Sequence, residues 1–396
     1  MKSDLDALME ASNFDALVVF GNAEHNPPMY YMTGGGHVSH AVLIKKRGEG
    51  AVLYHGDMER DEAAKSGLKC VPFSTFKFDE LLEKADKDHE LANAMRLELM
   101  FKDAGVTSGR VGVYGTYDVG AVFELLTAVQ KLMPEIEFIG ERRDDSVFLR
   151  AMETKDESEV ERIRRMGVVA TEVVGAVRDY LTSCDVSDDE VLLKEDGTPL
   201  TVGDVHKRIK LWVAERGAEL PSGFIFAIGR DAGVPHSSGN PDDLMQLGKT
   251  IIFDLYPAEA GGGYYFDFTR TWSLGYATPE AQELYNQVKE IFDELNDNFD
   301  LNASFKEYQR MTCEYFESKG HKSPLNTKTP QDGYVHSLGH GVGLNIHERP
   351  FSGLLADDQR LAAGVVITSE PGLYYPEKGM GFRIEDTLWV RPDGKV

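Results

Sequence analysis

Cysteine is scarce in this chain of 396 residues. There are three, Cys70, Cys184 and Cys313, far apart and in no CxxC pattern. An odd, scattered set reads as buried or free thiols of a reducing compartment. Positive charge is also short. Lys and Arg number 42 against 66 Asp and Glu, for a net charge of −24. That balance argues against nucleic acid and against anionic membrane surfaces as partners. No apolar run approaches the roughly 20 residues that span a bilayer. The opening MKSDLDALMEASNF has no apolar core of signal-peptide length. A soluble cytoplasmic protein is expected. No low-complexity segment and no repeat of solenoid period is present. A phosphate-binding loop is missing too: Gly34–Gly36 lacks the strand-to-helix fingerprint and reads as a turn.

What is present is enough apolar sequence, 42%, for packed cores, and enough length for two domains. Through residues 1–152 short apolar runs alternate with helical patterns. ALVVF (16–20), AVLIKK (41–46), GAVLYH (50–55) and RVGVYG (110–115) read as strands, with helices near 4–12, 90–103 and 119–132. This alternation predicts a three-layer α/β domain. The boundary falls near 150–156, where Thr154 to Glu157 has the form of a capping box. Beyond it Val160, Ile163, Gly167, Ala170, Val174 and Val177 recur at the spacing of one helix face.

The remainder, 153–396, shifts toward strands. DDEVLLKEDGTPL (188–200) looks like a polar excursion, with a helix following near 203–217. FIFAIG, TIIFDLYP, YYFDFTRTW, VVITSE and MGFRIEDTLWV all fit strands, with helices near 279–297 and 303–319 between them. Thr278 is placed as the N-cap of the first of these, with Pro279 at its first position. The two αβ stretches are similar in size, as a degenerate duplication would leave them.

Five residues sit in these strand-like or Gly-rich contexts and carry metal-binding groups: Asp254, Asp267, His340, Glu370 and Glu385. Four carboxylates exceed what one cation needs. Two cations sharing carboxylates would use them, and a two-metal site reads as hydrolysis. Asp254 and Asp267 are thirteen residues apart, with AEAGGG as turn chemistry between two strands. Antiparallel neighbours bring both carboxylates to one face. The plainer alternative is one Asp at an edge and the other paired to Arg270. His336, His340 and His347 fall in one segment with Gly339, Gly341 and Gly343. Glycines this dense argue against a helix and for a strand or loop lining a cleft. Alternation puts Arg383 and Glu385 on one strand face and Asp386 on the other.

FDLYP, FDFTRTW, HSLGHGVGLNIHE, SEPGLYY and FRIED occur in that order. As a set they resemble the pita-bread metallopeptidases: prolidase, aminopeptidase P and, more distantly, methionine aminopeptidase. The resemblance covers the whole chain. It implies a creatinase-type α/β N-terminal domain over 1–152 and an α+β pita-bread catalytic domain over 153–396. It also implies two divalent metal ions, manganese, cobalt or zinc, and a bridging hydroxide that attacks an Xaa–Pro bond in a short peptide. By position Asp254 would chelate the first metal, Asp267 and Glu385 would bridge, and His340 and Glu370 would bind the second. Glu370 would also shuttle the proton, and His347 would stabilise the oxyanion. His236 would position the residue after the scissile bond. His336 and Arg383 would act on the substrate side. A homodimer is implied as well.

Three departures from the family pattern stand out. The link between the two aspartates is longer than usual, so an insertion reaching the cleft is expected. Phe351 stands where many prolidases have an arginine for the substrate carboxylate, with Arg349 as the candidate replacement. The chain stops soon after FRIED, so an incomplete last strand edge is expected. Prolidase-like cleavage is the leading reading. The alternatives are aminopeptidase P action on longer peptides, metal-free creatinase-like hydrolysis, and a non-catalytic binding domain. Retention of all five ligands argues against the last two.

Overall fold

The computed structural model describes residues 4–396. It divides into two compact units. The first runs to Met152 and includes Gly261–Gly263; the second comprises Glu153–Ala260 and Tyr264–Val396.

The first unit is built on a six-stranded mixed sheet. Its order is Lys69–Pro72, Val52–His55, Ala41–Lys46, Ala16–Gly21, Gly109–Thr116, Ile136–Ile139. Only Ala41–Lys46 runs against its neighbours. The run ALVVF becomes a central strand because every side chain in it is buried, as expected of a strand covered on both faces. Helices His89–Asp103 and Val119–Leu132 supply Leu97, Met100, Phe101 and Val129 to the same core. Gly34 is the left-handed C-cap of helix Pro27–Thr33, at φ 78°, a helix the apolar pattern did not announce. Gly34–Gly36 is therefore an irregular turn segment.

In the second unit helix Glu157–Ser183 runs for 27 residues. Its cap is Asp156, whose carboxylate accepts from the backbone N–H groups of Ser158 and Glu159, while Glu159 reaches back to the N–H of Asp156. The box thus starts two residues after Thr154. Thr154 instead forms a bridge to Val365, which holds it extended. The helix buries Val160, Ile163, Gly167, Ala170, Val174 and Val177, the face its spacing predicts. Helix Val202–Glu215 packs beside it, against Phe226, Ile251 and Phe253 of the antiparallel sheet Ile225–Ile228, Thr250–Asp254, Thr269–Ser273. Burying each such phenyl ring is worth about 1.5–3 kcal/mol. The 188–200 excursion is polar at its tip but anchored by Leu192 and Leu200, both fully buried.

A second set of elements repeats that plan. Helices Pro279–Asn298 and Phe305–Ser318 share a core with Ile367, Leu373 and Phe382. Thr278 caps the first, its hydroxyl accepting from the N–H of Ala281. The sheet here orders Glu348–Phe351, His340–Gly341, Val366–Ser369, Asp386–Trp389. A separate hairpin joins Gly372–Tyr375 to Met380–Arg383.

Two expected strands break. MGFRIEDTLWV splits at Ile384–Glu385, because its two halves pair with different partners. YYFDFTRTW becomes a strand only from Thr269, leaving Asp267 two residues ahead of it. The last strand, Asp386–Trp389, pairs along its length with Val366–Ser369 and forms the edge of its sheet. An isolated bridge between Thr269 and Glu385 stitches the two sheets together.

Candidate metal centre and cleft

That stitch is where the site forms. Asp254 ends its strand opposite both Ile225 and Thr269. Asp267, two residues before Thr269, is pinned to the other sheet. Its N–H donates to the Thr387 hydroxyl at 3.2 Å, and that hydroxyl donates to the Asp267 carbonyl at 2.8 Å. The Glu385 N–H donates to the Thr269 carbonyl at 3.1 Å, and the Thr269 hydroxyl donates to the Glu385 carboxylate at 2.5 Å. Glu370 follows the end of Val366–Ser369, its N–H held by the carbonyl of Leu338 at 2.9 Å.

His340 enters on a two-residue strand threaded between Glu348–Phe351 and Val366–Ser369. The glycines flanking it are steric necessities. A Cβ on Gly339 would lie 2.1 Å from the Thr368 carbonyl, and one on Gly341 would lie 2.0 Å from the Arg349 carbonyl. The His340 Nδ1 lies 3.0 Å from the Gly341 carbonyl. A carbonyl only accepts, so Nδ1 carries the proton and Nε2 offers its lone pair. Nε2 lies 3.4 Å from Glu370 and 3.7 Å from Asp267. Ligand atoms of Asp267, His340 and Glu385 all fall within 4.8 Å of one another.

These residues open onto a cleft of about 600 Å³. Its lining includes Asp254, Asp267, His340, Glu370 and Glu385. His236, His336, His347, Phe351 and Arg383 line it too. Of the link between the two aspartates Tyr256 lines it, whereas the AEAGGG turn at 258–263 does not. Gly261–Gly263 group with the first unit instead.

The electrostatics are unbalanced. Burial, then the neighbouring Glu385, Asp254 and Glu370, push the Asp267 carboxyl well above the usual range. Burial, then Glu370 and Asp254, do the same to Glu385. Glu370 is raised to about 8, chiefly by burial, with Arg383 pulling the other way. Burial, reinforced by His347, holds His340 down to about 3. One oxygen each of Asp254 and Asp267 is buried with no hydrogen-bond partner. Orphaned anionic oxygens beside an imidazole lone pair are the donor set of a hard or borderline divalent cation, so the residues present fit one.

The other expected residues divide. His347 is exposed in the cleft, its ring edge-on to His340 at 4.3 Å between centroids. His236 is exposed at the same cleft. His336 and Arg383 line it, but their polar atoms are occupied. Arg383, 3% exposed, forms an ion pair with Asp254 and donates to Tyr374 Oη at 2.8 Å and Thr269 Oγ1 at 3.1 Å. The Tyr374 hydroxyl lies 2.9 Å from His336 Nε2, whose Nδ1 faces the Ser337 carbonyl at 2.7 Å. Both therefore brace a wall rather than offer free donors to a substrate. Arg349 departs furthest from expectation. It is absent from the lining and pairs with Glu153 at 2.8 Å. Strand alternation turns Glu348 inward, and Arg349 is drawn to the carboxylate beside it.

Thr269 and Tyr374 are the contributors that residue type did not announce. Thr269 bonds Glu385 and Arg383 at once. Its one signal was its place two residues after Asp267 in a strand-like run.

Residues 161–392 match the model of metallopeptidase family M24. An Xaa-Pro dipeptidase of Pyrococcus furiosus is 26% identical over 372 residues, 92% of this chain and 89% of the relative. Among solved structures, an Xaa-Pro dipeptidase from Bacillus anthracis superposes with a TM-score of 0.76 at 20% identity, covering 98% of this chain and 94% of the other. An X-Pro aminopeptidase from Thermotoga maritima does so with a TM-score of 0.73 at 20% identity, covering 96% and 94%.

Proposed function

The chain belongs to metallopeptidase family M24 and has its pita-bread fold; from that premise we propose a prolidase-like peptidase that hydrolyses Xaa–Pro bonds with two divalent cations. One observation carries the reading. Four carboxylates and one imidazole from five separate segments meet at a single cleft, with buried anionic oxygens left unpartnered. Asp254, Asp267, His340, Glu370 and Glu385 would hold the metal. Bound there, divalent cations supply Lewis acidity and bring the pKa of water toward neutrality.

The protein's own groups do the rest. Glu370, at the cleft, takes the proton of the attacking water and delivers it to the leaving proline nitrogen, a role worth roughly 10²–10⁴-fold. His347 donates to the oxyanion of the tetrahedral intermediate. His236 positions the residue after the scissile bond. Arg383 and Tyr374 keep Asp254 and the cleft wall in place.

A second reading has its own support. Phe351 lines the cleft while Arg349 is held by Glu153, which favours longer peptides, as in aminopeptidase P action, over a clamped dipeptide carboxylate. Metal analysis with hydrolysis of an Xaa–Pro dipeptide and an Xaa–Pro tripeptide in Mn²⁺, Co²⁺ or Zn²⁺ decides between them. Cleavage of the tripeptide alone selects the second reading. No bound metal and no cleavage of either would sink both. The reading includes a cytoplasmic homodimer. Three free thiols suit a reducing compartment, and among the described residues no helix is long and apolar enough to cross a membrane. Light scattering of the purified chain tests the dimer.

A further inference from the structure

Lys155 and Glu348 are 193 residues apart, yet their side chains meet at 2.9 Å with exposures of 1% and 0%. A buried ion pair is rarely a net source of stability, because desolvating two charges offsets their attraction. Its best-attested use is to fix a register, and the surroundings point that way here.

Glu348 directly follows His347. Its second oxygen accepts from the backbone N–H of Asn345 at 2.9 Å and from that residue's amide at 3.3 Å. The Gly343 N–H donates to the Asn345 carbonyl at 3.1 Å, and the Gly343 carbonyl accepts from Tyr265 at 2.8 Å. The Glu348 carboxylate thus ties the middle of the 343–348 turn, at Asn345, to Lys155. A Cβ on Gly343 would lie 2.3 Å from that carboxylate and 2.8 Å from Lys155 Cε, so the turn closes directly over the pair. Lys155 is itself fixed, its N–H bonded to the Gly364 carbonyl at 2.8 Å, two residues before the strand that leads to Glu370. One residue on from Glu348, Arg349 pairs with Glu153. The two pairs have opposite polarity. Sliding the strand by one residue would set Glu348 against Glu153 or Arg349 against Lys155, which like charges forbid.

We propose that Lys155, acting through Glu348, is a positioning residue that sets the place of the His347 imidazole in the cleft. The proposal rests on the reading of His347 as the oxyanion donor. A donor about 1 Å out of place loses on the order of 10²-fold in rate without losing substrate.

Lys155→Met alone strands a buried carboxylate and risks misfolding. The decisive variant is therefore Lys155→Met combined with Glu348→Gln, which removes both charges and leaves an oxygen for Asn345. In the metal-loaded enzyme, turnover of the Xaa–Pro peptide that the parent cleaves, dipeptide or tripeptide, should fall about 10- to 100-fold with KM and metal content unchanged. On a His347→Ala background the same pair of changes should have no further effect. The ring-carbon NMR signal of His347 in the zinc form, assigned by its loss in His347→Ala, should shift, while that of His206, on helix Val202–Glu215 with its Nε2 3.0 Å from the Phe226 carbonyl, stays. Unchanged turnover, an equal loss on the His347→Ala background, or an unmoved His347 signal would each overturn the proposal. The functional reading fails separately, if His347→Ala by itself leaves turnover intact.

Discussion

Glu348 and Asp267 are both buried carboxylates of the second unit, 0% and 5% exposed, but their partners differ in kind. Glu348 has a lysine ammonium at 2.9 Å and two donors from Asn345. Its charge is answered by the protein. Asp267 faces a histidine and three further carboxylates, and one of its own oxygens is left unpartnered. Among the described residues no lysine or arginine pairs with it. The first is structure complete in itself, whereas the second, on the proposed function, is structure that cations would complete, and the same chemical group serves both ends.

Removing a ligand breaks that comparison most sharply. Asp267→Ala or His340→Ala should abolish both metal binding and peptidase activity, a loss of at least about 10³-fold, read by metal analysis and peptide hydrolysis. Retained metal at full occupancy in either variant would contradict the assignment. His347→Ala should act differently, lowering turnover by about 10²–10³-fold while metal stays bound. Loss of metal in that variant would remove the distinction between a ligand and a substrate-side donor.

The complete pair makes the opposite prediction. Lys155→Met should destabilise the metal-loaded protein by about 3–5 kcal/mol in urea unfolding, because it leaves the Glu348 charge buried without its cation. Adding Glu348→Gln should restore most of that stability. Added metal should not, since this carboxylate is not a ligand.

How much of this was legible in the chain follows from how each residue signals. Asp254, Asp267, His340, Glu370 and Glu385 stand out because a carboxylate or imidazole inside an apolar run has few structural uses. Those five also sit in ordered motifs. Thr269 was silent, since a threonine suits any strand, and its two hydrogen bonds depend on Glu385 lying across a sheet boundary. The break at Ile384–Glu385 was hidden because what ends the strand is a change of pairing partner, which lies outside the segment itself. Lys155–Glu348 was out of reach for a similar reason, since no local pattern relates residues so far apart. The helix face from Val160 to Val177 lay at the other extreme, because its periodicity is wholly local.

Metal removal turns the unanswered carboxylates into a pH effect. The Glu370 carboxyl is raised from 4.5 to about 8, chiefly by burial. A raised acid contributes stability below its unfolded value that is lost as pH climbs through the folded one. Asp267 and Glu385 are raised in the same direction. His336 and His340 run the other way. Their pKa is held from 6.5 down to about 3 by burial, so their contribution is present above 6.5 and lost as pH falls. Between pH 6.5 and 8 the histidines are silent and the carboxyls are not. Chelator-treated protein should therefore lose thermal stability across that window, and the metal-loaded protein should lose much less. Equal slopes in the two forms would mean that cations do not answer these charges.

The smallest effect isolates the Lys155 pair from its neighbourhood. Asp156 is the next residue and caps the 27-residue helix, so any damage near Lys155 could act by fraying that helix. Asp156→Ala removes the cap hydrogen bonds to Ser158 and Glu159 and leaves Lys155 and Glu348 untouched. The cost should be about 1 kcal/mol in urea unfolding, with turnover within about twofold of the parent. The helix keeps its place through eleven buried residues along its length, so a loosened first turn is not transmitted to the 343–348 turn. A turnover loss in Asp156→Ala as large as in the doubly substituted pair would mean that the helix start as a whole sets His347. Stability lost without turnover leaves the carboxylate of Glu348, and the ammonium that answers it, as the element that does.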